Sequence, residues 1–182
     1  GILYADVALD AAAISSRLLP VLPLFARAIF NVGTSNLSDA ELQRRVGTHT
    51  GGMGGGLFSS MRAAPESGVS NPSELEYKML LRGKTTMEGM PQFWDLARDV
   101  LTDARLDHPE RIVEMLKASN ASMESAMISS GNSLAASRLA AGGSLAGYVA
   151  ERTGGVSYGD SLQEQLVRAT NDWPSLLSDL EE

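Results

Sequence analysis

"TGGMGGGLFSS", residues Thr50 to Ser60, has five glycines in eleven positions, and its reading decides the architecture. Three roles compete: a phosphate cradle, a flexible linker, or a strand whose backbone must let another come close. A P-loop needs a lysine after its last glycine to reach the terminal phosphates, but Leu57 follows Gly56. A dinucleotide fingerprint spaced from Gly52 puts Leu57 where its third glycine belongs, and a strand-like run follows rather than a helix. Ordered-looking segments flank the stretch closely, which argues against a linker. Glycine inside a strand marks a bulge or the close approach of another backbone, and that reading is adopted for Gly51 to Ser60. "EYKMLLRGK", Glu76 to Lys84, reads as a second strand, and the two make a hairpin across the polar turn Ala64 to Glu74.

Working outward, Ile2 to Asp10 reads as a strand, with Tyr4 and Val7 as strand formers. Ser15 to Val32 reads as a helix with Pro20 near its first turn and Gly33 as its stop; Pro23 offers an alternative start. Ser38 and Glu41 form a capping box for a short helix ending near Gly47. From Thr86 the period becomes helical, with Phe93, Leu96, Ala97, Val100 and Leu101 on one face. Asp107 to Glu110 opens the next helix, which carries Ile112, Met115, Leu116 and Met123. "AASRLAAGGSLAGYVAERTGG" is small-residue helix, broken at Gly142-Gly143. Ser157 to Asp160 caps another helix, and Asp172-Trp173-Pro174 opens the last. The expected order is strand, two helices, two strands, then about four helices. That order indicates an α+β fold, with an antiparallel sheet covered on one face by helices. A single domain is expected over 1–182, strand-rich over 1–85 and helical over 86–182.

Composition narrows the function. The formal charge of −7 and scattered Lys and Arg argue against nucleic acid as a partner. No run approaches the ~20 apolar residues of a membrane span, so no membrane partner is expected. The absence of cysteine removes disulfides, thiolate zinc sites and a thiol nucleophile. His49 and His108 are far apart in the chain, with no metal-ligand spacing around either. No G-x-S-x-G elbow occurs. The carboxylates of Asp160, Glu164, Glu181 and Glu182 read as solvated helix faces, and the eight methionines as core fillers. Tyr158 reads as a hydrophobic plug just inside a helix start. No catalytic or metal-binding residue is therefore expected.

The ordered set "LLPVLPLFARAIFNVGT", "VGTHTGGMGGG", "LLRGK", "SLAASRLAA", "TGGVSYGDSL" and "NDWPSLL" resembles the presequence proteases, the large zinc peptidases of mitochondria and chloroplasts in the pitrilysin superfamily. The resemblance runs colinearly along essentially the whole chain. It implies the third of four related α+β domains, the start of the half that lacks zinc. "ILYADVALD" follows Gly1 with no lead-in, which fits a piece of something longer.

In that family the zinc motif H-x-x-E-H lies in the first domain. The helix around Leu18 to Phe30 corresponds to the zinc-binding helix but carries neither histidine nor glutamate. The resemblance therefore implies zinc in the parent protein and no cofactor in these residues. It also implies that the parent degrades presequences and other short unstructured peptides in the mitochondrial matrix or chloroplast stroma. The implied partners are the other domains of the same polypeptide and the parent's peptide substrates. In the family's catalytic domain, the equivalent of the glycine stretch is an edge strand that takes substrate by strand addition. Gly52, Gly54, Gly55 and Gly56 become the candidate substrate-binding residues, lining a chamber wall or packing on a neighbouring domain. The competing expectation is a non-catalytic presequence-binding module resembling a processing-peptidase subunit with a glycine-rich loop.

Overall fold

The computed structural model describes residues 1–63 and 70–182. Residues 64–69 of the expected polar turn lie outside the described residues. The strands are β1 (Ile2–Asp10), β2 (Met53–Ala63) and β3 (Ser70–Thr86). The helices before β2 are α1 (Leu22–Ala28) and α2 (Asp39–His49). After β3 come α3 (Met90–Thr102), α4 (Pro109–Ser129), α5 (Gly131–Ala140), α6 (Leu145–Gly154), α7 (Val156–Asn171) and α8 (Trp173–Glu181). The fold is α+β, as the sequence indicates, but more helices follow β3 than the four expected. Residues Gly142 and Gly143 do break the small-residue helix, separating α5 from α6.

The sheet is antiparallel with order β1-β3-β2. β3 is central and long. Ser70 to Glu74, expected in the polar turn, are strand instead. A register shift between Met61 and Ala63 lets the hairpin continue past its regular pairing. β1 pairs with Lys78 to Thr86 of β3, so the far end of β3 has β2 as its neighbour in the described sheet.

Alternation along the strands sends Ala5, Tyr77, Met79 and Leu81 to one face, where they are buried. They join Leu22, Ala26, Ile29 and Phe30 around α1, Leu42 of α2, and Phe93, Leu96, Ala97 and Val100 of α3. The opposite side of α1 supplies Val21, Leu24 and Ala28 to a second cluster with Ile112, Met115 and Leu116 of α4, Leu162 of α7, and Leu176 and Leu180 of α8. α1 is thus apolar on two sides because it lies between two layers, and Arg27 is its exposed residue. This accounts for the apolar run at residues 18–30.

Three boundary expectations are corrected. The helix expected from Ser15 begins at Leu22; Pro23, not Pro20, occupies its first turn, where a missing N–H costs little. It also ends at Ala28, short of Gly33, which nonetheless takes φ 79 in the loop beyond. α7 is capped by Gly155, not by Ser157; the Ser157 N–H donates instead to the Glu151 side chain of α6. The methionines are divided: Met79, Met115 and Met123 are buried, whereas Met61, Met87 and Met127 are exposed. The capping box of α2 is present as read, with Ser38 and Glu41 bonded reciprocally.

Candidate peptide-binding edge

The glycine stretch forms the start of β2, an edge strand of the described sheet. Its four candidate residues do three different things. Gly52 takes φ 124, a backbone conformation that L side chains rarely adopt. It turns the chain from α2 into β2: the Gly51 N–H donates to the Lys84 carbonyl at 2.7 Å, and the Gly52 carbonyl accepts from the Lys84 N–H at 3.1 Å. Gly55 faces α1. A Cβ there would lie 2.0 Å from the Ala26 carbonyl oxygen and 2.9 Å from the Phe30 ring. This is the close backbone approach that the sequence suggested. Gly54 and Gly56 face away from the helices, and a Cβ at either would meet nothing within 4 Å.

Hydrogen bonding fixes which backbone groups of β2 are free. Lys84 bonds to Gly51 and Gly52 on one side of β3, and the Tyr77 carbonyl accepts from Ala11 on the other, at 2.9 Å. Antiparallel pairs alternate between bonded and non-bonded. With the observed register, Gly54, Gly56 and Phe58 bond to Arg82, Leu80 and Lys78. The N–H and C=O groups of Met53, Gly55, Leu57 and Ser59 therefore point away from β3, toward the open edge. Gly55 itself is exposed there.

The uncovered face of the sheet continues from this edge. Gly54 borders a hollow of about 700 Å³ lined by Tyr4, Asp6, Arg82 and Lys84 with Gly51 to Met53. Asp6 and Arg82 pair across β1 and β3 at 3.3 Å. Tyr4 is exposed beside them, and Phe58 is exposed farther along β2, opposite Lys78. Such a surface offers backbone groups, an exposed tyrosine ring and two cations against one carboxylate. Those features suit an extended peptide better than a compact small ligand. The sequence reading missed Tyr4, Asp6 and Arg82, whose convergence depends on strand register.

Among the described residues, no group of three or more His, Asp or Glu side chains comes together as a metal site. α1 offers leucine, proline, phenylalanine, alanine and arginine, a donor set that does not fit zinc. His49 ends α2, with its carbonyl accepting from the Thr85 hydroxyl at 2.9 Å, and His108 caps α4. Two groups escaped the sequence reading. Glu151, 4% exposed, is a buried carboxylate, and Arg27 and Tyr158 share a cleft between α1, α4 and α7.

Comparison with known proteins gives the family. Residues 1–164 match the family described as Peptidase M-16C associated. Presequence protease 1, chloroplastic/mitochondrial, of Arabidopsis thaliana is 30% identical over 182 residues, which is 100% of this chain and 16% of that protein. Presequence protease, mitochondrial, of Candida albicans is 27% identical over 117 residues, 64% of this chain and 11% of that protein. The mitochondrial presequence protease of Schizosaccharomyces pombe is 22% identical over 157 residues, 86% of this chain and 15% of that protein. The chain therefore spans only about a sixth of the length of the curated relatives it matches.

Proposed function

The chain belongs to the peptidase M-16C associated family, and from that premise we propose that it is a non-catalytic part of an organellar zinc metalloendopeptidase that degrades presequences and other short unstructured peptides. Its role is to form part of the wall that encloses the peptide. The observation that carries the reading is the outward row of backbone groups on β2, next to a sheet face that no helix covers among the described residues. Unstructured peptides present the same backbone groups whatever their side chains, so an edge strand holds them with little sequence preference. The names of the relatives support a mitochondrial or chloroplast setting.

Zinc belongs to the parent protein in this reading and would be held by residues outside this chain. What these residues contribute is binding and enclosure: Gly54 and Gly56 keep the sheet face bare, and Gly55 lets α1 brace β2 from the other side. In this reading the chain alone does not hydrolyse peptide.

The experiment is hydrolysis of a fluorogenic presequence peptide by the chain and by its parent polypeptide, with and without chelator. Chelator-sensitive cleavage by the parent and none by the chain supports the reading. Chelator-sensitive cleavage by the chain alone contradicts it. Micromolar presequence binding by the isolated chain would instead favour a stand-alone binding module of the processing-peptidase kind.

A further inference from the structure

A second site lies apart from the β2 edge, on the opposite side of α1. It is a cleft of about 510 Å³ whose lining includes Arg27, Ser119, Ser122, Met123, Gly154 and Tyr158. Arg27 leaves the last turn of α1, and its Nη1 donates to the Ser119 hydroxyl at 2.9 Å and to the Met115 carbonyl at 3.4 Å. Both acceptors are neutral, and no carboxylate lines the cleft among the described residues. A guanidinium has five N–H donors in a planar fork, and those two contacts engage only one nitrogen. Tyr158 closes the other side. Burial pushes its hydroxyl up to about 12, with the Arg27 charge acting in the opposite sense, so it stays a neutral donor at physiological pH.

We propose that this cleft binds a carboxylate, held by the Arg27 fork with the Tyr158 and Ser122 hydroxyls donating to it and Met123 contacting the apolar part of the ligand. Three features select that ligand. The fork matches a planar carboxylate bidentately. One cation balances a monoanion, whereas a phosphate dianion would lack a second. Arg27 is exposed and its two contacts are to neutral oxygens, so its guanidinium keeps donors for an anion. The carboxylate comes either from the C-terminus of a peptide or from an acidic side chain within one. The inference does not depend on strand addition at β2.

The test is a chemical-shift titration of the ¹⁵N-labelled chain with three peptides too short to extend a sheet. They are acetyl-Ala-Ala-Leu with a free C-terminus, the same peptide as its C-terminal amide, and acetyl-Ala-Glu-Leu amide. The free acid is expected to shift the amides of Ser119, Gly154 and Tyr158, and the neutral amide to leave them unmoved. Response to the free acid alone assigns the site to a peptide terminus; response to the glutamate peptide assigns it to a side-chain carboxylate. Both support the site. Arg27→Gln should weaken binding about tenfold or more, and Tyr158→Phe about threefold or more, as loss of the ion pair and of one hydrogen bond to the carboxylate implies. Arg27→Lys keeps the charge but not the fork, and should also weaken binding with the thermal midpoint unchanged. Equal shifts with the neutral amide, or binding untouched by Arg27→Lys and Tyr158→Phe, would overturn the proposal.

Discussion

Glu151 of α6 and Ser157 of α7 are joined by two hydrogen bonds: the Ser157 backbone N–H and hydroxyl both donate to Oε1, at 3.0 and 3.2 Å. The other carboxylate oxygen accepts from the Ser137 hydroxyl of α5 at 3.2 Å. One buried side chain thereby ties three helices together and places a negative charge at the α7 N-terminus, where orphan N–H groups and the helix dipole favour it. Gly155 makes the room. A Cβ there would lie 1.8 Å from the Glu151 Oε2, although φ −90 at that position suits any residue.

Gly155→Ala should therefore destabilise the chain through crowding alone, by about 1–3 kcal/mol. Glu151→Ala, which strands buried donors, should cost about 2 kcal/mol. The double variant should cost less than the sum, because removing the carboxylate removes the two closest contacts and leaves only the Glu151 Cα at 2.9 Å. Urea unfolding of the four proteins measures this; strict additivity would show that the carboxylate is not what excludes a side chain at Gly155.

The glycines of β2 separate in the same way. Gly55→Ala drives a methyl into the Ala26 carbonyl, a backbone atom that cannot swing aside, and should cost about 1–3 kcal/mol. Gly54→Ala and Gly56→Ala meet open space and should leave the thermal midpoint unchanged or raise it. Equal losses at all three positions would contradict the packing described for α1 and β2.

How much of this is legible beforehand follows from what each feature depends on. The hairpin, the capping box and the α3 stripe rest on residues close in sequence, so propensity and period reveal them. The strand reading of the glycine stretch is right, and for the reason given, but only at Gly55; which glycine meets α1 depends on the packing. The early start drawn for α1 fails because Pro20 and Pro23 both suit a first turn, and the local sequence does not choose between them. Ser157 looks like a cap from sequence because its true partner lies in another helix. Glu151 and the Arg27 cleft have no local signal, since each is assembled from separate helices.

Alkaline stability should report on Tyr77. Its ring is buried and its hydroxyl finds no partner among the described residues. Burial pushes it up to about 12 from an ordinary value near 10, and the Thr153 side chain beside it eases that only in part. Thr153 already donates to the Val149 carbonyl at 2.8 Å. The folded state then holds a proton that the unfolded chain releases, so stability is complete below pH 10 and falls as pH rises toward 12. Tyr77→Phe should flatten that fall and cost little at neutral pH, because no hydrogen bond is lost. An unchanged alkaline profile in the variant would refute this.

Acid stability should report on Asp179. Burial pushes its carboxyl up, but hydrogen bonds from Arg168, at 2.7 Å, and from Arg17 outweigh that and hold it below the usual carboxylate range. Its contribution is present above the unfolded value and is lost as pH falls through the lower folded one, so the loss lies below about pH 4. Asp179→Asn should lower the urea midpoint at pH 7 and narrow the gap to wild type below that pH. A gap that stays constant on acidification would contradict the assignment.

Amide hydrogen exchange along β2, in the parent polypeptide with a saturating presequence peptide, tests the functional account most directly. The N–H groups of Met53, Gly55, Leu57 and Ser59 should slow when peptide binds, while those of Gly54, Gly56 and Phe58, already bonded to β3, should not change. Bound peptide with no added protection at the outward set would show that substrate is held elsewhere.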